Sequence, residues 1–501
     1  MHRIVNVRTV CEPAVARPSW AEHGLAARHP TELSVRRRAL ANPTGVALRG
    51  PAGDMTWEEA ARRVSTMVDA WRAEAGKHPA ADDGRAPACV RPKEAVCGGA
   101  SLGFPLSPLR LVARADERTV LTIWAALEAE RPLVLLSGKL TARELAAQEK
   151  TIDSLEKAGI PLAPDTAVVM FTSGTTGRAK PAMISRAALI ASARANAVNL
   201  PLTDTDVWQL AISPARIGGF SILTRALAAG AGVALAGSFT VEGFLASLRR
   251  DRVTVASVVP TMLAKILAEA PDAVPPAGFR AMLVGGASMS ADLRRRAVTR
   301  GWPVMSTYGM TETASNVVTT PYAERFLAAD SLGLPNAGVE IAVREGEVWV
   351  KGDMLASGYW GGALFEKNDW YPTGDLGEWG PDGRLRILAR RTDLILSGGE
   401  NVYPAEVEAA LETIPGIRAA RVVGLPDPIW GAIVTALVVT AIDGPSDEEI
   451  VAAVKTRLAA YKCPRRLARV GGLPLTEAGK PDRRPSVLEG LALEVLHYKT
   501  H

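Results

Sequence analysis

The chain has 501 residues, 48% of them hydrophobic and 22% charged, with a formal net charge of +5. That length exceeds one compact core and implies roughly two to four structural units. So small a charge excess, with no aromatic and basic stripe, argues against a nucleic-acid binder, and the lack of any run of about 18 uncharged apolar residues argues against a membrane-spanning helix.

The opening segment, MHRIVNVRTVCEPAVARPSW, breaks its apolar stretches with Arg, Glu and Pro, so no secretion signal is expected and 1–32 reads as irregular. Cys11, Cys89, Cys97 and Cys463 form no CxxC pair, which suits reduced thiols in a cytoplasmic protein. Residues 56–74 align Ala60, Val64, Met67, Val68 and Trp71 on one helix face. Residues 78–108, rich in Gly, Pro and Ala, read as a loose loop or a decayed element. Residues 119–138 read as helix then strand. The alternation continues with strands at 207–212, 232–236, 253–259 and 281–284, and helices at 221–229, 241–249 and 262–269. Such alternation predicts mostly parallel sheets covered by helices. Beyond 333, short strands with Gly turns predict an antiparallel β unit, and from 393 a separate α+β domain begins, with a helix at 447–461.

Histidines occur at 2, 23, 29, 78, 497 and 501 only, so a Ser-His-Asp triad or a His-ligated metal is excluded between 79 and 496. Chemistry there must use Lys, Arg, carboxylates, hydroxyls and backbone.

FTSGTTGRAKP, residues 171–181, follows the apolar run 167–170. Glycines let the backbone approach a polyphosphate, N–H and hydroxyl groups donate to its oxygens, and a lysine balances its charge. The spacing differs from GxxxxGK[ST]. Composition alone equally allows a flexible surface turn.

The literal string TSGTTGRAK resembles the phosphate-loop signature of the adenylate-forming superfamily, which includes acyl- and aryl-CoA synthetases and peptide-synthetase adenylation domains. Ala179 stands where that signature has Pro, and Pro181 where it has Gly, with Lys180 kept. Further strings follow in the superfamily's order, and the likeness is strong over 166–484 and weak over 33–160. The resemblance implies an α/β fold, with a large ATP- and acyl-binding domain over 33–391 and a small mobile α+β domain over 392–501. It assigns Thr172, Ser173, Gly174, Thr175, Thr176 and Lys180 to the phosphates of ATP. From STYGMTETAS (306–315) it assigns Tyr308 and Gly309 to the nucleotide, and Thr311 and Glu312 to phosphate and Mg²⁺. Alone, Glu312 would read as a solvated loop acid. Mg²⁺ prefers hard oxygens and keeps waters, so one carboxylate with phosphates can suffice. LVGGA (283–287) brings Gly285, Gly286 and Ala287 to adenine, and WYPTGDLG (370–377) brings Asp375 to both ribose hydroxyls. In 387–408, Arg390 matches a ribose contact, Thr392 the hinge, and Gly398 with Gly399 the tunnel for the CoA pantetheine. In LPLTEAGKPDRR (473–484), Lys480 matches the mobile catalytic lysine.

The strings IGGFSILTRAL, YGMTETAS, RRTDLILSGGENVYPAEVEA and YKCPRR are similar to those of the o-succinylbenzoate–CoA ligases of menaquinone synthesis. Arg216 stands where many relatives have His. A permanently charged Arg there suits the second carboxylate of a dicarboxylic acid, although it could equally snorkel to solvent. Gly219, Ser221 and Ser315 are candidates for the acyl-pocket wall. A benzoate- or anthranilate-type CoA ligase, an aryl adenylase loading a carrier protein, and a non-catalytic homologue remain alternatives. The implied co-reactants are ATP, Mg²⁺, CoA and a small carboxylic acid. The sequence sets no oligomeric state, and a homodimer is compatible with it.

Overall fold

The computed structural model describes residues 33–76, 107–138, 140–172, 179–287, 289–327, 332–390, 393–397, 400–427, 430–458, 460–476 and 482–496. The segments 1–32 and most of 78–108 lie outside them.

Among the described residues a nine-stranded sheet forms the centre of the large domain, and its inner strands are parallel. Val207–Leu210, Gly232–Leu235, Val255–Val258 and Ala281–Val284 are buried at every position. That continuous burial follows from helices on both faces. Side chains alternate between two cores: Ala281 and Leu283 join one, Met282 and Val284 the other. The expected helix at 56–74 spans Trp57–Gly76, with Ala60, Val64 and Val68 buried and Met67 and Trp71 packed against them.

A second, five-stranded sheet carries Leu133–Ser137 and Thr166–Thr172 in parallel, then turns back antiparallel through Lys180–Ser185. One edge strand is Gly358–Tyr359, from far along the chain, and the other is Leu109–Ala113. The helix Ala142–Lys157, which the sequence pattern did not single out, is closed by a capping box between Thr141 and Glu144. The antiparallel unit expected beyond 333 comprises Glu340–Arg344, Glu347–Lys351, Tyr371–Trp379 and Leu385–Arg390.

The helix expected at 221–229 begins earlier, at Ile217, with Arg216 as N-cap. Its first turn holds two glycines, and Gly219 allows close packing. A Cβ at Gly219 would lie 2.3 Å from the Ser213 carbonyl oxygen. Gly230, at φ 78°, ends the helix in the left-handed conformation.

The C-terminal unit is built on the antiparallel pair Ile417–Asp427 and Gly431–Thr440, with Pro404–Glu412 and Asp447–Lys455 packed around its own core. The helix expected to reach 461 stops at Lys455. The Arg457 and Leu458 N–H groups both turn back to the Val454 carbonyl, tightening the last turn. Among the described residues no helix is long and apolar enough to cross a membrane.

Candidate active site

The turn at 308–315 joins the site's parts. It runs from the strand Val304–Met310 through a single 3-10 turn, Thr311–Thr313, into the antiparallel strand Ser315–Thr319. The strands meet so closely at Gly309 that a Cβ there would lie 2.0 Å from Ser315 O. Ala314 and Ser315 take φ of 46° and 106°, a conformation that favours glycine. Neighbours fix this strained pair. Ser192 Oγ donates to Ala314 O at 2.8 Å, and Arg225 Nη2 donates to Ser192 Oγ at 3.2 Å. Arg225 is fully buried, and loss of hydration pulls its guanidinium down to about 9.

Glu312 projects from the turn and is 8% exposed. Tyr359 Oη donates to its Oε1 at 2.8 Å. The same tyrosine lies beneath Lys180, whose Nζ is 5.3 Å from the ring centroid. Lys180 pairs with Thr172 across the hairpin that encloses the phosphate-loop string. Ser173, Gly174, Thr175 and Thr176 lie outside the described residues. Pro181 is inside the buried strand, where its carbonyl accepts the Trp360 N–H.

On the other side of the turn, Tyr308 Oη donates to Asp375 Oδ2 at 2.8 Å. Asp375 is buried and sits opposite Arg390 in the strand register. Gly285, Gly286 and Ala287 follow the strand Ala281–Val284. Thr307 presses on Gly285, where a Cβ would lie 2.1 Å from Thr307 Oγ1. Ser315 Oγ donates to Ser221 Oγ at 3.1 Å, tying the turn to the helix that Arg216 begins. Arg216 is half-buried, and its side chain does not cap that helix.

Thr392, Gly398, Gly399 and Lys480 lie outside the described residues. The flanks of the Lys480 string are described. Asp482 N–H donates to Pro474 O at 3.1 Å, and Arg483 Nη2 meets Glu408 Oε2 at 2.6 Å and Nη1 meets Asp393 Oδ2 at 3.9 Å. These contacts tie the base of the lysine string to the start of the small domain. Glu412 Oε1 accepts the Ala420 N–H at 3.2 Å, and burial holds its carboxyl above the usual range.

The structure therefore brings together Thr172, Lys180, Tyr308, Glu312 and Asp375 around the turn, with Ser221 and Ser315 bonded to each other beneath it. Sequence reasoning missed Tyr359. Its signal is only a Gly-Tyr pair between turns, and its importance comes from pairing with a strand far away in sequence.

Among the described residues no cluster of three or more His, Cys, Asp or Glu could hold a metal. Glu312 fits the one ion the pattern implies. It is a single buried carboxylate with one oxygen engaged by Tyr359, which suits Mg²⁺ held otherwise by phosphate and water.

Residues 108–360 match the AMP-binding enzyme family, and 406–480 match the AMP-binding enzyme C-terminal domain. A 2-succinylbenzoate–CoA ligase of Bacillus velezensis is 37% identical over 352 residues, covering 67% of this chain and 71% of that protein. A feruloyl-CoA synthase of an Amycolatopsis species is 32% identical over 486 residues, covering 89% of this chain and 96% of that one. The o-succinylbenzoate–CoA synthetase of Bacillus subtilis, solved with its acyl-adenylate intermediate, superposes with a TM-score of 0.73 at 29% identity, covering 89% of this chain and 96% of that one. Its structure with ATP and a magnesium ion superposes at 0.72.

Proposed function

The chain belongs to the AMP-binding enzyme family, and from that premise we propose that it joins 2-succinylbenzoate to CoA at the cost of ATP, forming AMP and pyrophosphate. One observation carries this reading. Two buried carboxylates, Glu312 and Asp375, flank a single strained turn whose last residue, Ser315, is bonded to the helix headed by Arg216. Nucleotide and acid can thus meet on one rigid element.

The first step joins a carboxylate oxygen of the acid to the α-phosphorus as the bond to pyrophosphate breaks. The acid is already ionised, so no general base is needed, in keeping with the absence of His between 79 and 496. Catalysis rests on positioning and on stabilising developing charge. Asp375 accepts the ribose hydroxyls, Lys180 and the 172–176 hydroxyls and N–H groups hold the β- and γ-phosphates, and Lys480 bridges the carboxylate and the α-phosphate. Mg²⁺, held by Glu312, supplies charge neutralisation when bound. The backbone at Gly285, Gly286 and Ala287 walls the adenine, and Arg390 supports the ribose side. In the second step the small domain turns about Thr392, the Gly398 and Gly399 backbone lines the thiol's path, and the CoA sulfur displaces AMP at the acyl carbon. Trp430 with the Arg465 guanidinium stacked 4.3 Å above it gives the small domain an exposed aromatic and cationic surface suited to the nucleotide end of CoA.

Arg216 selects the acid by pairing with the carboxylate that is not activated. The likeness to feruloyl-CoA synthase over most of the chain favours a second reading, an aromatic monocarboxylate as substrate. Pyrophosphate exchange with each acid decides between them. The first reading expects 2-succinylbenzoate to drive exchange and ferulate not to. A cytoplasmic site of action agrees with the need for ATP and CoA.

A further inference from the structure

Tyr359 lies on the two-residue strand Gly358–Tyr359, which pairs antiparallel with Lys180–Ser185. Backbone bonds lock that placement: Ser357 N–H donates to Met183 O, and Trp360 N–H donates to Pro181 O, each at 2.8 Å. Ala356 N–H donates to the Glu312 carbonyl, also at 2.8 Å, so the backbone of this segment is stitched to the turn as well as to the strand. The Tyr359 ring is packed edge-on against Phe365, which in turn stacks on Tyr371 at 4.7 Å. From this seat one side chain touches two opposite charges: its hydroxyl reaches Glu312 Oε1 at 2.8 Å, and its face lies under Lys180 Nζ at 5.3 Å.

We propose that Tyr359 is a positioning residue that presets the Glu312 carboxylate for Mg²⁺ and the Lys180 ammonium for phosphate, coupling the metal-binding turn to the phosphate hairpin. The inference rests on the reading of Glu312 as the metal carboxylate. A carboxylate with one oxygen held by a neutral donor keeps its other oxygen aimed at a cation instead of rotating between partners. A cation over a tyrosine face within about 6 Å is attracted to it, which restrains an otherwise exposed lysine.

The two halves separate experimentally. Affinity for α,β-methylene-ATP, whose carbon bridge cannot break and which therefore cannot adenylate an acid, is measured by calorimetry with Mg²⁺ and with EDTA. Tyr359→Phe keeps the ring and removes the donor. It should weaken binding about tenfold in Mg²⁺, the scale of a lost hydrogen bond to a charged group, and leave binding in EDTA unchanged. Tyr359→Leu should weaken both, because Lys180 loses its seat. In a Glu312→Ala background the Tyr359→Phe effect in Mg²⁺ should vanish, since the hydroxyl's other neighbour, the Tyr371 hydroxyl at 3.4 Å, is neutral and carries no metal dependence. A Tyr359→Phe protein that weakens equally in Mg²⁺ and EDTA, or in neither, overturns the coupling. Glu312→Ala with unchanged Mg²⁺ dependence overturns the metal reading of Glu312 and the Tyr359 inference with it. A metal effect confined to Glu312→Ala overturns only the role of Tyr359.

Discussion

Tyr308 and Asp375 come from different sheets of the large domain, and the tyrosine hydroxyl meets the carboxylate at 2.8 Å. The bond fixes a buried acid at the mouth of the nucleotide turn, with Asp375 set opposite Arg390 by strand register. Asp375→Asn keeps the shape and loses the charge that favours two ribose hydroxyls. The KM for ATP should rise about tenfold to a hundredfold, the scale of one or two charge-assisted hydrogen bonds. Pyrophosphate exchange at varied ATP checks it, with an unchanged melting temperature as control.

Lys480→Ala should separate the half-reactions. Adenylation should fall about a hundredfold to a thousandfold, as expected when a preorganised charge is withdrawn from a developing negative centre. Thioester formation from supplied acyl-adenylate should change less than threefold. Rapid-quench assays of the two steps measure this directly.

Arg216→Ala tests acid selection. With 2-succinylbenzoate the KM should rise at least tenfold, from loss of a charge-assisted pair, and with benzoate it should stay the same or fall. Equal effects on both acids would return Arg216 to a merely structural place at the head of its helix.

Much of this site was legible because it is written in contiguous strings. The turn at 308–315, the Gly285–Gly286 pair and Asp375 each sit in a short string that resembles a superfamily signature, whereas residue type alone would leave Glu312 a solvated loop acid. The parallel sheets were equally legible from strand and helix alternation. What escaped were long-range contacts. The strand Gly358–Tyr359 is too short to show a period, and it gains its meaning from pairing with Lys180–Ser185. Gly218 and Gly219 lie within a helix that the sequence pattern starts only at 221, and the Ile212 and Ser213 carbonyls leave no room for a side chain at Gly219. Pro181 looked like part of the loop and is a buried strand residue, since a proline with its carbonyl bonded to Trp360 fits the ladder there.

Asp206 supports the sheet beneath the site. Arg280 Nε donates to its Oδ1 and Nη2 to its Oδ2, each at 2.8 Å, and Thr254 Oγ1 donates at 2.7 Å. Burial alone would raise this carboxyl, but the Arg280 and Thr254 hydrogen bonds outweigh it and hold it below its usual range. Its contribution is therefore complete above the unfolded carboxylate value of about 3.9 and is lost as pH falls through the lower folded value. Asp206→Asn should cost about 3 kcal/mol at pH 7, or about 6 °C in melting temperature at about 2 °C per kcal/mol. The gap from the parent protein should narrow below about pH 3.5. Thermal unfolding followed from pH 7 to pH 3 checks both parts.

The central claim is tested most directly by identifying the product. Purified protein is given ATP, Mg²⁺ and 2-succinylbenzoate, with and without CoA, and the mixture is read by mass spectrometry alongside ferulate, benzoate, anthranilate and hexanoate. The account predicts the acyl-adenylate without CoA, and 2-succinylbenzoyl-CoA with AMP when CoA is present, at rates well above the other acids. Adenylate that never passes to CoA, or thioester formed faster from a monocarboxylate, would contradict it.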